Sequence, residues 1–147
     1  MKTFYGTPCI NQNMNIMCKC FRYPDDSKIA LFYTSERQGA DGVRTKTYGQ
    51  LRDRVRHYAA ALRAMGVREG DRVVGYIPNC PEAIEAMAAA ASLGAIWSST
   101  SPDFGVSGVL DRFSQIQPRV VFSVEAVSYN MKTHDHLSKL SQVTVVL

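Results

Sequence analysis

The chain has 147 residues, with 17 Lys and Arg against 13 Asp and Glu and a formal net charge of +4. Hydrophobic residues make up 46% and charged residues 20%, which is typical of a globular domain and excludes an intrinsically disordered chain. A chain of this length can bury one hydrophobic core but is too short for most two-domain enzymes.

The basic residues do not predict a nucleic-acid-binding surface. The densest group, from Arg52 to Arg63, is interrupted by Asp53, so we interpret it as the solvated face of a helix. The longest apolar stretch, residues 86–97, is shorter than the roughly 20 residues of a membrane span. Few cysteines and no secretory signal favour a cytosolic protein with reduced thiols and with neither nucleic acid nor a membrane as partner.

The chain divides into two regions. Residues 1–21 have no hydrophobic period, and we expect an irregular segment there. Residues 22–147 form the ordered region, which begins with two predicted strands, 29–34 and 43–47, joined by a loop that contains Gly39 and Gly42.

The first predicted helix, from about residue 48 to 65, has the clearest signals. Thr47 and Gln50 have the spacing of a capping box, in which each side chain accepts a backbone N–H of the first turn. Gly66 follows at the position where helices often end in a left-handed residue. Helical spacing predicts one buried stripe, formed by Leu51, Val55, Tyr58, Ala59 and Leu62.

Strands and helices then alternate. A strand at 72–77 precedes a helix that begins at Pro81 and ends at Gly94, with a predicted inward face of Ile84, Met87, Ala88 and Ala91. The remaining predicted elements are a strand at 95–98, a polar loop at 99–105, a helix carrying Val109, Leu110, Phe113 and Ile116, a strand at 119–124 buried on both faces, a short helix with Leu137 and Leu140, and a last strand at 143–147.

This alternation predicts an α/β fold with a partial doubly wound parallel sheet and flanking helices. Ligands of such sheets bind outside the carboxyl ends of the strands, which places residues 78–79, 99–105 and 125–132 at the expected site. Because the chain ends within an apolar, β-prone run, we expect it to be part of a longer domain.

No phosphate-binding or catalytic motif is complete. Gly70 and Gly75 have Walker A spacing but lack the following Lys-Ser/Thr, and no G-x-G-x-x-G is present. The hydroxyl-rich loop at 98–105 either contacts a ligand or is a turn-stabilised loop. Its Asp103 is the best-placed acid, with turn or helix capping as the alternative.

Three further signals have structural alternatives. Cys18-x-Cys20 and His134-x-His136 are close pairs that could share a zinc ion, although their spacing matches no common zinc module. Cys80 precedes a helix, where its thiol pKa could be lowered or where it is simply a capping residue. His57 is interpreted as a solvated residue on the polar side of the first helix.

Three ordered segments resemble the adenylate-forming acyl-CoA synthetases: Thr47-Tyr-Gly-Gln-Leu51, Gly66-Val-Arg-Glu-Gly-Asp-Arg-Val73 and Pro78-Asn-Cys-Pro-Glu82. Residues 92–105 and 108–118 are similar to the branch of this family that activates acetoacetate. The resemblance covers about residues 22–142, and it implies the start of the family's large N-terminal domain.

The resemblance implies a ligase of lipid and ketone-body metabolism. In that reaction acetoacetate and ATP give an acyl-adenylate and pyrophosphate, and CoA then displaces AMP, with ATP, CoA and Mg as the cofactors of the complete enzyme. The family's phosphate loop, adenine motif, ATP-binding Asp and lid Lys have no counterpart here. We therefore predict no catalytic residue and no metal site in this chain and expect it to be inactive alone, without tight binding of these cofactors.

One CoA contact is implied by position. In related synthetases a loop after the strand equivalent to residues 119–124 contacts the CoA phosphates, and Tyr129, Asn130, Met131 and Lys132 occupy that place. Lys132 is the expected phosphate partner, and Met131 stands where the family usually has glycine. An ordinary surface loop is the alternative.

A function of another class also stays open. Residues 1–21 resemble no part of the family, which suits a short isoform that acts as a non-catalytic interaction module. A small nucleotide-binding domain is a third hypothesis.

Overall fold

The computed structural model describes residues 23–36 and 42–146. The predicted irregular segment at 1–21, the Cys18-x-Cys20 pair, Gly39 and the terminal Leu147 lie outside the described residues. The described part is a mixed α/β structure, which confirms the predicted fold class.

An antiparallel hairpin comes first. Strands β1 (Ile29–Tyr33) and β2 (Arg44–Thr47) pair from Ile29 opposite Thr47 to Tyr33 opposite Arg44, with one irregularity after Ile29. The two strands predicted in this region are therefore confirmed.

Helix α1 (Tyr48–Ala64) begins at the predicted capping box. The Thr47 hydroxyl accepts from the Gln50 N–H, and the Gln50 side chain accepts from the Thr47 N–H at 2.9 Å. Gly66 has a φ of +80°, the left-handed conformation that ends a helix most easily with glycine. The buried stripe consists of Leu51, Val55, Ala59 and Leu62, and Tyr58 lies half-buried beside it.

A three-stranded parallel sheet forms the centre of the described structure. Strand β3 (Arg72–Tyr76) lies between β4 (Ile96–Thr100) and β5 (Val120–Ser123). Helix α2 (Pro81–Ser92) connects β3 to β4, and helix α3 (Val106–Phe113) connects β4 to β5. The chain ends with the antiparallel strands β6 (Ala126–Tyr129) and β7 (Lys132–Asp135) and with helix α4 (Leu137–Thr144).

Successive residues of β3 face opposite sides of the sheet. Val73 packs in a cluster with residues of α1 and α2, whereas Val74 and Tyr76 pack in a second cluster with residues of α3 and α4. Helices therefore cover both faces of the sheet, as expected for a doubly wound arrangement.

Three sequence predictions about elements are wrong. The strand predicted at 143–147 is not found in its described residues 143–146, because α4 extends to Thr144 and buries Val143 in a cluster with Tyr76 and Phe113. The segment at 125–132, predicted as a loop, instead supplies strand β6, its turn and the first residue of β7. Strand β4 continues to Thr100, which removes Ser99 and Thr100 from the predicted loop.

Two burial predictions are also wrong. Strand β5 is only half-buried, because it lies at an edge of the three-stranded sheet while β3 takes the central place. On α2, Ala88 is buried as predicted and Met87 and Ala91 are half-buried, but Ile84 is exposed and Glu85 is buried in its place. The physical reason is that the Glu85 carboxylate pairs with two cations, Lys46 of β2 and Arg54 of α1.

No helix in residues 23–36 and 42–146 combines the length and the apolar character needed to cross a bilayer.

Candidate functional site

A cavity of about 420 Å³ opens at the carboxyl ends of β3 and β4. All three segments that the sequence placed at this edge contribute to its lining, because parallel strands end on the same side of a sheet. The residues that line it are Ile77, Pro78, Asn79, Ala83, Ser99, Thr100, Ser101, Pro102, Asp103, Val127, Ser128 and Tyr129.

The loop after β4 is held by its own polar contacts and by the sheet. The Ser101 hydroxyl donates to a carboxylate oxygen of Asp103 at 2.8 Å, which is a local turn interaction. The Tyr76 hydroxyl, from the buried end of β3, donates to the Phe104 carbonyl at 2.7 Å. Both readings of Asp103 therefore find support, because it stabilises a turn and also lines the cavity.

Burial and the neighbouring Asp103 carboxylate raise the pKa of the Tyr76 phenol. Tyr76 therefore stays protonated at neutral pH and remains a hydrogen-bond donor to the loop. The residue was included in a predicted strand, but no local motif marks it as part of a site. Only its position at the carboxyl end of a predicted strand could have indicated that Tyr76 lies near the site.

The β6–β7 hairpin forms another wall of the cavity. Its turn residues Asn130 and Met131 have φ values of 50° and 60°, the left-handed pair of a type I′ turn. This turn places Tyr129 directly opposite Lys132. Of the four residues predicted to contact CoA, Tyr129 lines the cavity, while the other three lie exposed at the tip of the hairpin.

The two predicted histidine ligands have different surroundings. His134 is exposed on β7, whereas His136 is 1% exposed and its ring centre lies 4.3 Å from that of Tyr76. Burial lowers the pKa of His136, with a further contribution from the nearby Lys139 ammonium. Within residues 23–36 and 42–146, no three His, Cys, Asp or Glu side chains are placed to hold a metal ion.

The alternatives for Cys80 and His57 are resolved. Cys80 is the N-cap residue of α2, and burial raises rather than lowers the pKa of its thiol, so the activated-thiol alternative is wrong. Cys80 lines a separate cavity of about 280 Å³ between β1 and the start of α2. His57 is exposed, with Nδ1 2.8 Å from the Asp53 carbonyl, as the solvated interpretation predicted.

Comparison with known proteins connects this architecture to a family. Residues 19–147 match the family model described as AMP-binding enzyme. The chain is 58% identical to acetoacetyl-CoA synthetase from Gallus gallus and 56% identical to that from Rattus norvegicus, in each case over 130 residues, or 88% of this chain and 19% of the relative.

A solved structure shows the same similarity. Acetoacetyl-CoA synthetase from Streptomyces lividans superposes with a TM-score of 0.81 at 40% identity, over 88% of this chain and 20% of that structure. The chain therefore spans about a fifth of the length of the relatives it matches. The family match at residues 19–147 covers the parallel sheet, its helices and the edge where the cavity opens.

Proposed function

Because the chain belongs to the AMP-binding enzyme family, we propose that it is part of an ATP-dependent acetoacetate–CoA ligase. In the proposed reaction a carboxylate oxygen of acetoacetate attacks the α-phosphorus of ATP and pyrophosphate leaves. The CoA thiol then attacks the acyl carbon, loses its proton, and expels AMP. The observation that carries this proposal is the identity of 56% over 130 residues to acetoacetyl-CoA synthetase from Rattus norvegicus.

Within this ligase, we propose that residues 22–147 supply part of the AMP-binding domain and that the cavity is its CoA-facing edge. The proposed phosphate contact is the tip of the hairpin, formed by Tyr129, Asn130, Met131 and Lys132. Lys132 brings a cation and Tyr129 a hydroxyl to the same side of the turn, because they are direct cross-strand partners. A phosphate near Lys132 would gain a charge-assisted contact.

The charges of the cavity suggest the orientation of CoA. Asp103, in the loop that follows β4, places a carboxylate in the lining of the cavity, and this charge repels phosphate. The uncharged pantetheine arm, whose amides can donate to a carboxylate, suits the part of the cavity near Asp103. The phosphates then lie toward Lys132, outside the cavity.

We further propose that the 147-residue chain alone does not form acetoacetyl-adenylate. The motifs that contact ATP in this family have no counterpart among its residues, so ATP and its Mg belong to other parts of a complete ligase. The cytosol is the proposed location. The purified chain should show no acetoacetate-dependent exchange between ATP and pyrophosphate, and exchange above the no-enzyme rate would contradict this proposal.

The CoA assignment has its own experiment. Titration of the ¹⁵N-labelled chain with CoA at millimolar concentration should shift the amide signals of Ser101, Asp103 and residues 128–132. Lys132→Met should weaken this response about fivefold, since one charge-assisted contact is lost. Lys28→Met removes the same charge from an exposed position outside the cavity and should leave the response unchanged. Equal loss in both variants, or no shift in the unmodified chain, would contradict the assignment.

The alternative function is a non-catalytic interaction module. It depends on residues 1–21, which lie outside the described residues. A sharp, reversible thermal transition of the monomeric chain would favour the module, whereas aggregation with exposed apolar side chains such as Val145 and Phe32 would favour the ligase fragment.

A further inference from the structure

Two walls of the cavity are connected through side chains that do not themselves line the cavity. One wall is the loop that follows β4, and the other is the β6–β7 hairpin. Three side chains link them: Tyr76 at the end of β3, His136 at the start of α4, and Lys139 one turn further along α4.

Tyr76 holds the loop from below. Its side chain is fully buried, and its hydroxyl is 2.7 Å from the Phe104 carbonyl. A phenol buried to this degree on the central strand has little freedom to move. Its hydrogen bond therefore restricts the position of the loop relative to the sheet. The Lys139 ammonium reaches the same loop from α4, with Nζ 3.4 Å from the Pro102 carbonyl.

His136 holds the hairpin. Strand β7 is exposed along its whole length, and in β6 only Ala126 and Val127 are half-buried, so side-chain packing restrains the hairpin mainly at its base. Its base is restrained at His136, whose backbone N–H donates to the Glu125 carbonyl at 2.9 Å and whose ring packs on Tyr76 at an interplanar angle of 64°. The orientation of the hairpin relative to the sheet therefore depends on the contact between His136 and Tyr76.

In the part of the chain that the structure describes, no hydrogen bond of the ring Nε2 accounts for the burial of His136. Its Nε2 is buried without a hydrogen-bond partner within the described residues, as is the hydroxyl of Thr100, which pairs with Tyr76 in the sheet. An unpaired buried polar atom is unfavourable, and an apolar ring would fill this place at lower cost. Such an arrangement is typical of functional rather than purely structural positions.

We propose that Tyr76, His136 and Lys139 are positioning residues that hold the loop at 101–105 and the β6–β7 hairpin in one fixed arrangement around the cavity. Tyr76 is the shared member, because it contacts the loop through its hydroxyl and His136 through its ring. This inference rests on the proposed function in one respect, namely that the cavity accepts CoA.

The test uses the full 147-residue chain and amide hydrogen exchange measured residue by residue. Tyr76→Phe keeps the ring and removes the hydroxyl. The Phe104 amide, which donates to the Ser101 carbonyl at 3.2 Å, should exchange about five- to tenfold faster, since one buried hydrogen bond restrains this loop. Lys139→Met should accelerate the same amide by a smaller factor.

Val74→Ala is the matched control. Val74 lies on the same strand, faces the same side and belongs to the same apolar cluster as Tyr76, but its side chain has no hydroxyl and so cannot make the hydrogen bond that Tyr76 donates to the loop. This variant loses stability and should raise exchange across the whole cluster in parallel. If Tyr76→Phe gives that same uniform pattern, with no excess at Phe104, Tyr76 is only a core residue and the proposal is wrong.

His136→Ala tests the other connection. It should increase exchange at the paired amides of β6 and β7 and, through Tyr76, at Phe104. An effect confined to the hairpin would show that the two walls are independent and would overturn the proposal.

Titration with CoA separates this inference from the proposed function. If the unmodified chain responds to CoA, Tyr76→Phe should raise the dissociation constant about fivefold, whereas Val74→Ala leaves it unchanged at a temperature where both variants are folded. Absence of any CoA response in the unmodified chain contradicts the CoA assignment only. The exchange results then decide the positioning role by themselves.

Discussion

The two faces of the central strand bury polar groups in different ways. On the side of α1 and α2, the Glu85 carboxylate is fully buried but is paired with Lys46 and with Arg54, whose Nε lies 3.4 Å from Oε2. On the side of α3 and α4, the His136 Nε2 and the Thr100 hydroxyl have no partner within the described residues.

Among the described residues, the buried polar group on the side of α1 and α2 is paired, whereas those on the side of α3 and α4 are not. A buried charge is tolerated where other charges and hydrogen bonds compensate for its lost hydration. The side of α3 and α4 leaves polar atoms uncompensated beside the candidate site, where natural proteins most often depart from optimal packing. The following predictions test this contrast between the two faces.

The largest effect is expected from Lys46→Met. It leaves the Glu85 carboxylate buried with Arg54 as its remaining ion-pair partner, and we expect a loss of about 3 kcal/mol in the free energy of unfolding, measured with urea. The double variant Lys46→Met, Glu85→Leu removes both charges and should recover most of this loss. Equal destabilisation in the single and double variants would show that the ion pair does not explain the burial of Glu85.

A smaller loss is expected from Gly75→Ala on the same face. An added Cβ would lie 2.8 Å from Trp97 Cζ2 and 2.9 Å from Ile77 Cγ2, and such overpacking costs about 2 kcal/mol. Gly108→Ala in α3, on the other face, is the matched control. Its Cβ would make an ordinary contact at 3.4 Å with Phe104, and the helix should gain about 0.5 kcal/mol. Thermal unfolding of both variants checks the opposite signs.

Met131→Gly should stabilise the turn at the tip of the hairpin. Met131 has a φ of 60°, which is strained for a residue with a side chain, whereas glycine adopts it freely. We expect the free energy of unfolding to rise by about 1 kcal/mol, together with slower amide exchange across β6 and β7. Asn130→Gly, at a φ of 50°, should gain less because asparagine tolerates this conformation better. Equal gains would contradict the argument from strain.

The smallest effect is a pH dependence from His136. Its pKa is lowered in the folded state by burial and by Lys139, and Asp135 only partly opposes this. The unfolded chain therefore binds more protons between the folded pKa and about 6.5, so stability is complete above this range and falls as the pH decreases through it.

The remaining groups near His136 do not reverse this sign. Tyr76 is protonated at neutral pH and donates to Phe104, and the Asp103 carboxylate helps to raise the pKa of Tyr76. His136→Phe keeps an aromatic ring and should flatten the pH dependence of the melting temperature between pH 7 and pH 5. His134→Gln, which changes an exposed histidine of the β6–β7 hairpin, should retain the pH dependence of the melting temperature. An unchanged slope in His136→Phe would refute the assignment.

The candidate site could be predicted from the sequence only in part. Alternating strands and helices placed three segments at one edge of the sheet, and the structure brings these segments together around the cavity. The roles of Tyr76 and His136 could not be predicted, because their contact joins residues 60 positions apart and no local pattern encodes it. The CoA role of the hairpin tip stays a prediction.

The sequence by itself determined the elements whose signals are local. The capping box of Thr47 and Gln50, the left-handed Gly66 and the apolar stripe of α1 act within a few residues of one another, so their outcome does not depend on the rest of the fold. The order of strands and helices, and with it the parallel sheet, follows from the same kind of local periodicity.

Tertiary structure decided the elements whose local preferences were weak or contrary. The β-branched run after Gln142 favours a strand, but Val143 is buried against Tyr76 and Phe113 only because α4 continues through it. Strand β7 is entirely polar and exposed, and its pairing with β6 supplies the hydrogen bonds that its side chains do not predict. Glu85 is buried because Lys46 of β2 and Arg54 of α1, both distant in sequence, pair with its carboxylate and compensate for its lost hydration.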